Sequence, residues 1–281
     1  MTDVLLTNDD GFGAHGLAVA TELLARALPS ARVWTVVPRT DRSGGSHAVS
    51  LRGSIGVERV GPRTIVVDGT AADCVVLAGH GLVPRPDLVV AGVNGGPNLG
   101  DDLHYSATTS AAAEAALQGI PALAVSLAWS FDDPGRGRGW PAVLMVGVPF
   151  LAGLAAAEAP AVSRFWNLNV PDVDVARLRG LRRCPLGRRR AEISLTREAG
   201  EAAGERWRIR AAHRGHAGPP GCDLELVAAG FATVSAVGLE PVDGGDAPWL
   251  EALIDPSRDP LLDPSRDPSA PARPVAAGWS A

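Results

Sequence analysis

The chain has 281 residues, 46% of them hydrophobic, with a net charge of −5, so it can bury a globular core and lacks the basic surplus of a nucleic-acid binder. All 26 basic residues are Arg, which excludes a Schiff-base lysine or a P-loop lysine. Cys74, Cys184 and Cys222 are odd in number and lack any C-x-x-C pairing, the pattern of buried, reduced thiols in a cytoplasmic protein.

The first element is the apolar run Val4-Leu5-Leu6, which passes through Thr7-Asn8-Asp9-Asp10 into Gly11, Gly13 and Gly16. It reads as a buried strand ending in a tight turn that feeds a helix. Such turns lie at the carboxyl edge of an open parallel sheet, where ligands bind. Two adjacent carboxylates repel one another by about 4 kcal/mol at roughly 4 Å in an effective dielectric near 20. A hard divalent cation such as Mg²⁺ or Mn²⁺ would relieve that repulsion, whereas zinc would want His or Cys, and neither adjoins the pair. The bland alternative has one Asp capping the helix and the other solvated. Residues 11–16 also match G-x-G-x-x-G letter for letter. A dinucleotide reading nevertheless fails on charge, because Asp9 and Asp10 would face the pyrophosphate.

A helix is predicted over about 14–28 from Leu17, Thr21, Leu24 and Leu28, then a second buried strand over 33–37, giving a β-α-β unit. The polar loop 38–47 leaves the same sheet edge, with Ser43 or Ser46 as hydroxyl ligands and Arg39 or Arg42 for an anion. Residues 51–67 alternate like a hairpin, and Thr70-Ala71-Ala72-Asp73 forms a capping box with a purely structural duty. His80 suits a helix end. A third buried strand over 87–91 runs into Gly92-Val93-Asn94-Gly95-Gly96-Pro97-Asn98-Leu99-Gly100-Asp101-Asp102. Its glycines mark a backbone that turns sharply beside something, and Asn94 offers a neutral oxygen to a hard metal. Tyr105 to Ser110 then leads into a helix over 111–117, so that hydroxyls and free N–H groups make a phosphate cradle or, more plainly, an N-cap.

Several stretches taken together resemble one family. T-N-D-D-G (7–11), R-S-G-G-S-H (42–47), G-T-A-A-D-C (69–74), P-D-L-V-V-A-G-V-N-G-G-P-N-L-G-D-D (86–102), Y-S-A-T (105–108), G-I-P-A-L-A-V-S (119–126) and N-L-N-V-P (167–171) occur in the order seen in the SurE family of 5′-nucleotidases. The strong similarity spans about 3–128 and continues more weakly to about 242. The resemblance implies a Rossmann-like three-layer α/β/α fold with a mainly parallel sheet and a protruding β-hairpin that serves as an oligomerisation arm. It implies one divalent metal per subunit on Asp9, Asp10, Ser43 and Asn94, with Asn98, Ser106 and Thr108 at the phosphate. Asn8, His47 and His104 would stand behind these groups, and His47 or His104 could protonate the leaving alcohol. The implied reaction is hydrolysis of nucleoside 5′- and 3′-monophosphates by a homodimer or homotetramer. Where the family has Gly, Pro and Asp, this chain has Ala107, Ala71 and Arg39. Ala107 could narrow the cradle or forbid a glycine-only angle, and Arg39 would reverse a charge near the site.

Further on come a core strand over 122–127, a loop with Asp132 and Asp133, a helix over about 140–156 and a strand over 165–170. The run 179–190 carries six arginines without interleaved aromatics and reads as solvated or oligomer-facing rather than as an RNA-binding arm. A hairpin is expected over 193–212, and His213 and His216 read as surface residues. The organisation expected is one domain over 1–242, with its core about 1–171 and its arm about 172–242, followed by a Pro- and Asp-rich, extended tail over 243–281 that repeats D-P-S-R-D-P. No signal peptide or membrane span is visible, so a cytoplasmic location follows. Two competitors are an aspartyl-phosphate phosphatase, which would want acids two residues apart and a Lys, and a nucleotide-sensing protein that has lost turnover.

Overall fold

A computed structural model describes residues 2–129, 133–157, 164–198 and 205–239. Met1–Glu240 forms one compact unit. The tail over 243–281, Asp132, and Gly200 and Gly204 of the expected hairpin lie outside the described residues.

The chain begins β1 (Asp3–Thr7), α1 (His15–Ala27), β2 (Arg32–Pro38), β3 (Val57–Gly61), β4 (Thr64–Val67), α2 (Ala71–Leu77) and β5 (Leu88–Gly95). It continues with α3 (Ala107–Leu117), β6 (Ala122–Ala128), α4 (Trp140–Ala156), β7 (Arg164–Pro171), β8 (Leu181–Arg183), β9 (Arg188–Glu198), β10 (Arg206–Ala217), α5 (Asp223–Ala228) and β11 (Ala232–Gly238). Nine strands make one sheet in the order β3-β4-β2-β1-β5-β6-β7-β11-β8, and β9 and β10 pair separately as an antiparallel hairpin. The six central strands β4-β2-β1-β5-β6-β7 are all parallel, while β3 and β11 run against their neighbours β4 and β7.

Strand alternation explains the layers. Val4 and Leu6 pack with Leu17, Leu23, Leu24, Val143 and Val146 on the α1/α4 face. Leu5 points the other way, to Cys74, Val75 and the alanines of α2 and α3. One face per residue is what the period-2 strand geometry dictates, and burial on both faces explains the unbroken apolar runs. Small Ala side chains at 111, 112, 115 and 116 allow α3 to lie close on the sheet. The capping box at Thr70 and Asp73 is formed as read, and Ala71 occupies the first turn of α2 with helical geometry.

Topology positions the site. From β1 the chain winds outward through β2 and β4, then returns to β5 on the other side of β1 and winds through β6 and β7. The order therefore reverses between β1 and β5, and the crevice beyond their carboxyl ends is where an open α/β sheet binds ligands. Two differences from the sequence reading bear on this region. β5 runs on to Gly95, with an irregular register against β6 between Ala91 and Asn94, so Asn94 stands on a strand end and not in a free loop. α3 starts at Ala107, four residues early, because the Ser106 hydroxyl caps it by accepting the Thr109 N–H. Beyond residue 171, β8 and β11 join the main sheet and Ala232 and Val234 enter its core, while β9 and β10 pair apart from it.

Candidate active site

The β1–α1 turn is built by close approach. Gly11 has φ +93°, and a Cβ there would lie 2.8 Å from the Thr40 carbonyl carbon; at Gly16 it would lie 1.8 Å from the Val93 oxygen. The glycines of the G-x-G-x-x-G stretch thus let α1 and the 38–47 loop close against the sheet, a packing duty that needs no dinucleotide. Asn8 is buried, and its amide donates to the Gly11 carbonyl at 3.0 Å, fixing the turn.

With the turn fixed, Asp9 and Asp10 open onto a cleft of about 1380 Å³. Asp41, Ser43, Asn94, Asn98 and Ser106 line the same cleft, supplied by the loop after β2, the end of β5 and the loop that follows it, and the cap of α3. Asp9 is 3% exposed and accepts a hydrogen bond from the fully buried Thr108 hydroxyl. Thr108 is therefore a support for Asp9, in the first turn of α3, and does not itself line the cleft. Burial pushes the Asp9 carboxyl above its ordinary value, and the Thr108 bond opposes that rise. Asp10 is pushed up to about 6, first by burial and then by the charge of Asp9, against a hydrogen bond from the Gly95 backbone. Asp41 adds to the repulsion on both, while its own Oδ1 accepts the Ser43 N–H at 2.7 Å. These are the marks of a charged cluster held for a counter-ion.

The donor set fits a hard divalent cation. Among the described lining residues the polar groups facing the acids are carboxylates, hydroxyls and amides, with no His or Cys. Asn94 spends its amide nitrogen on the Gly96 carbonyl at 2.9 Å, which leaves its side-chain oxygen as the ligand atom. Ser106 accepts the Thr109 N–H and keeps its own proton to donate.

Asn98 is set by a buried polar network. Its N–H donates to Asn169 Oδ1 at 2.9 Å, its carbonyl accepts from the amides of Asn167 and Asn169, and its own amide donates to Ser126 at 2.8 Å. Ser126 and Asn169 are register partners on β6 and β7, and alternation puts Asn167 on that same face. No role was assigned to these three from sequence, although N-x-N in an otherwise apolar strand is the signal that would have found them.

Other candidates stand elsewhere. His47 pairs with Glu114 of α3 at 2.9 Å, and His47 and His104 both line a separate hollow of about 320 Å³. Arg39 is held by Asp68 at 2.7 Å and Glu58 at 3.0 Å on the sheet edge, so its charge does not reach the acids. Ala107 takes an ordinary helical φ, so the feared glycine-only angle does not exist. The arginine run 179–190 divides. Arg179 and Arg182 lie over the Phe231 ring at 4.5 and 4.7 Å, whereas Arg189 enters the cleft and pairs with Asp102 at 2.6 Å. Arg210 of β10 joins it there, and Tyr105 and Trp129 also line the cleft. Nothing local in the sequence distinguishes Arg189 from its neighbours; pairing of β9 with β10 and its placement against Gly100–His104 select it.

The family model described as survival protein SurE matches residues 4–193. Among curated relatives, a 5′-nucleotidase SurE of Geotalea uraniireducens is 42% identical over 177 residues, covering 63% of this chain and 68% of the relative. That of Rhodospirillum rubrum is 36% identical over 262 residues, covering 89% of this chain and 94% of the relative. The crystal structure of the SurE protein from Aquifex aeolicus superposes with a TM-score of 0.74 at 26% identity, covering 89% of this chain and 99% of that one.

Proposed function

The chain belongs to the SurE family, and from that premise we propose that it is a divalent-metal-dependent phosphomonoesterase releasing phosphate from nucleoside 5′-monophosphates, and from 3′-monophosphates as well. The observation that carries the reading is the group of mutually repelling acids, buried Asp9 and half-buried Asp10 with Asp41 beside them, in a cleft that also brings the oxygens of Ser43, Asn94 and Ser106. Asp9, Asp10, Ser43 and Asn94 would hold one Mg²⁺ or Mn²⁺ ion. When bound, the ion supplies Lewis-acid neutralisation of charge developing on the phosphoryl oxygens.

The chain's own groups do the remainder. The Ser106 hydroxyl donates to phosphate oxygens, as does the Asn98 side chain. The Thr108 hydroxyl donates to Asp9, which opposes the rise that burial imposes on its carboxyl and fixes its orientation. Arg189 and Arg210 place positive charge on the far wall, where a dianion enters a cleft otherwise dominated by acids. Tyr105, 71% exposed, and Trp129 offer flat faces to a nucleobase. His47 and His104 are assigned no part in protonating the leaving alcohol, because they line the other hollow and are not among the cleft's lining residues. Two acids on consecutive residues, in a chain without Lys, leave the aspartyl-phosphate scheme without its parts. Ala107 and Arg39, the two departures that lend some support to a sensor without turnover, leave the donor set in place: Ala107 has no positive φ, and Arg39 is paired with Asp68 and Glu58.

The test is phosphate release from a panel of nucleoside 5′- and 3′-monophosphates with Mn²⁺ or Mg²⁺. The reading requires release that EDTA abolishes and that the Asp9→Asn/Asp10→Asn double variant lacks. A folded protein silent with every substrate and metal would overturn it.

A further inference from the structure

A second cluster of ligand-bearing side chains lies at the root of the hairpin, outside the groups assigned above. His216, Cys222 and Glu225 bring one nitrogen, one sulfur and one oxygen within 4.8 Å of one another. The local chain explains why they converge. β10 resumes its pairing with β9 at His216 after a register shift, and the chain then reverses through Gly218-Pro219-Pro220-Gly221. Gly218 (φ +149°) and Gly221 (φ +74°) supply the left-handed turns, and the Cys222 N–H donates back to the Pro219 carbonyl. Cys222 is the N-cap of α5 and Glu225 stands three residues on, which puts both side chains on one side of the helix start.

Three features go beyond proximity. Glu225 is oriented, since its Oε2 accepts the Gly221 N–H at 2.8 Å and its Oε1 is left towards His216. That Oε1 stands 3.7 Å from His216 Nε2, too far for a hydrogen bond but close to the about 3.3–3.8 Å edge between ligands of a tetrahedral zinc ion. Cys222 is fully buried behind two exposed partners, with Gly187 leaving room against its sulfur. A mixed N/S/O set suits zinc, in contrast to the oxygen donors around Asp9 and Asp10, which suit magnesium or manganese.

We propose that His216, Cys222 and Glu225 form a separate zinc-class site, with solvent as fourth ligand, that clips the end of the hairpin to α5. Binding deprotonates the Cys222 thiol and releases that proton to solvent. Asp223, next to Cys222, accepts the N–H groups of Gly100 and Gly187, both at 2.7 Å, and Leu224 and Val227 of α5 line the cleft.

The experiment is titration of the metal-stripped full chain with Co²⁺, read by the thiolate-to-cobalt charge-transfer band, followed by competition with Zn²⁺. It is run on wild type and on the Asp9→Asn/Asp10→Asn background, which removes the cleft's acids. The site predicts a band at one equivalent in both proteins, displaced by Zn²⁺, absent in Cys222→Ser and weakened at least tenfold in affinity by His216→Ala and by Glu225→Gln. The last two lie at exposed positions and report even where Cys222→Ser fails to fold. No band in wild type, loss of the band with Asp9 and Asp10, or a band indifferent to His216 and Glu225 would each overturn the proposal.

Discussion

Thr108→Val removes the buried hydroxyl that supports Asp9 from behind the cleft and keeps the volume. Thr108 is fully buried, Asp9 is 3% exposed, and the hydroxyl donates to Asp9 Oδ1. A buried hydrogen bond to a charged group is worth about 1.5–3 kcal/mol net. In the proposed account that energy favours the ionised carboxylate that the metal requires. Losing it should weaken metal binding by roughly 10- to 150-fold, since about 1.4 kcal/mol is tenfold. The unliganded protein should lose less, because an Asp9 deprived of its donor can take up a proton. The assay is phosphate release against Mn²⁺ concentration. Thr108→Val should shift the activation curve to higher metal by that factor and recover most of its rate at saturation, and Thr108→Ser should stay near wild type. A Val variant with the wild-type curve, or a Ser variant as damaged as the Val variant, would refute the role given to this hydroxyl.

Other perturbations follow from the same geometry. Asp10 titrates near 6 in the folded, metal-free chain against an ordinary 3.8, so the fold binds that proton more tightly than the unfolded chain does. Stability of the metal-free protein should therefore rise as pH falls from about 7 towards 5, and Asp10→Asn should raise Tm at pH 7.5 and flatten that slope in thermal melts. A Tm for Asp10→Asn below wild type at pH 7.5 would contradict the burial argument. Asp223→Ala leaves the N–H groups of Gly100 and Gly187 unpaired in the interior, and denaturant unfolding should show a loss of about 2–4 kcal/mol. Gly16→Ala pushes a methyl into the Val93 carbonyl and should lower Tm more than Gly13→Ala, whose added carbon meets nothing within 4 Å. Arg210→Ala should raise KM for the nucleotide several-fold with kcat little changed, as expected of a charge that attracts the dianion without touching the reacting atoms.

Much of the site was legible because its parts sit where strand periodicity ends. Val4-Leu5-Leu6 and the apolar run from Leu88 fix two buried parallel strands, and whatever follows such strands is carried to one sheet edge. Asp9, Asp10, Ser43, Asn94, Asn98 and Ser106 follow from that rule together with the family motifs, and the structure brings all six to one cleft. What stayed hidden depends on contacts far apart in sequence. Thr108 reads as a cradle residue until α3 is seen to start at Ala107, which turns its hydroxyl under Asp9. Asn167 and Asn169 act across 69 and 71 residues on Asn98. Arg189 is one arginine among many until Asp102 meets it, and Arg39 looks close to the acids until Asp68 and Glu58 hold it at the sheet edge. Propensity and period report on neighbours along the chain, and these four cases turn on partners across it.

The central claim, that the acids after β1 hold one hard cation for phosphate chemistry, is tested most directly by electron paramagnetic resonance of Mn²⁺ titrated into the metal-stripped protein. One equivalent should bind per chain in wild type, bind far more weakly in Asn94→Ala, and fail to bind in Asp9→Asn/Asp10→Asn, with the bound signal changing when a nucleoside monophosphate is added. Stoichiometric Mn²⁺ binding that survives the double substitution, or none in wild type, would contradict the account.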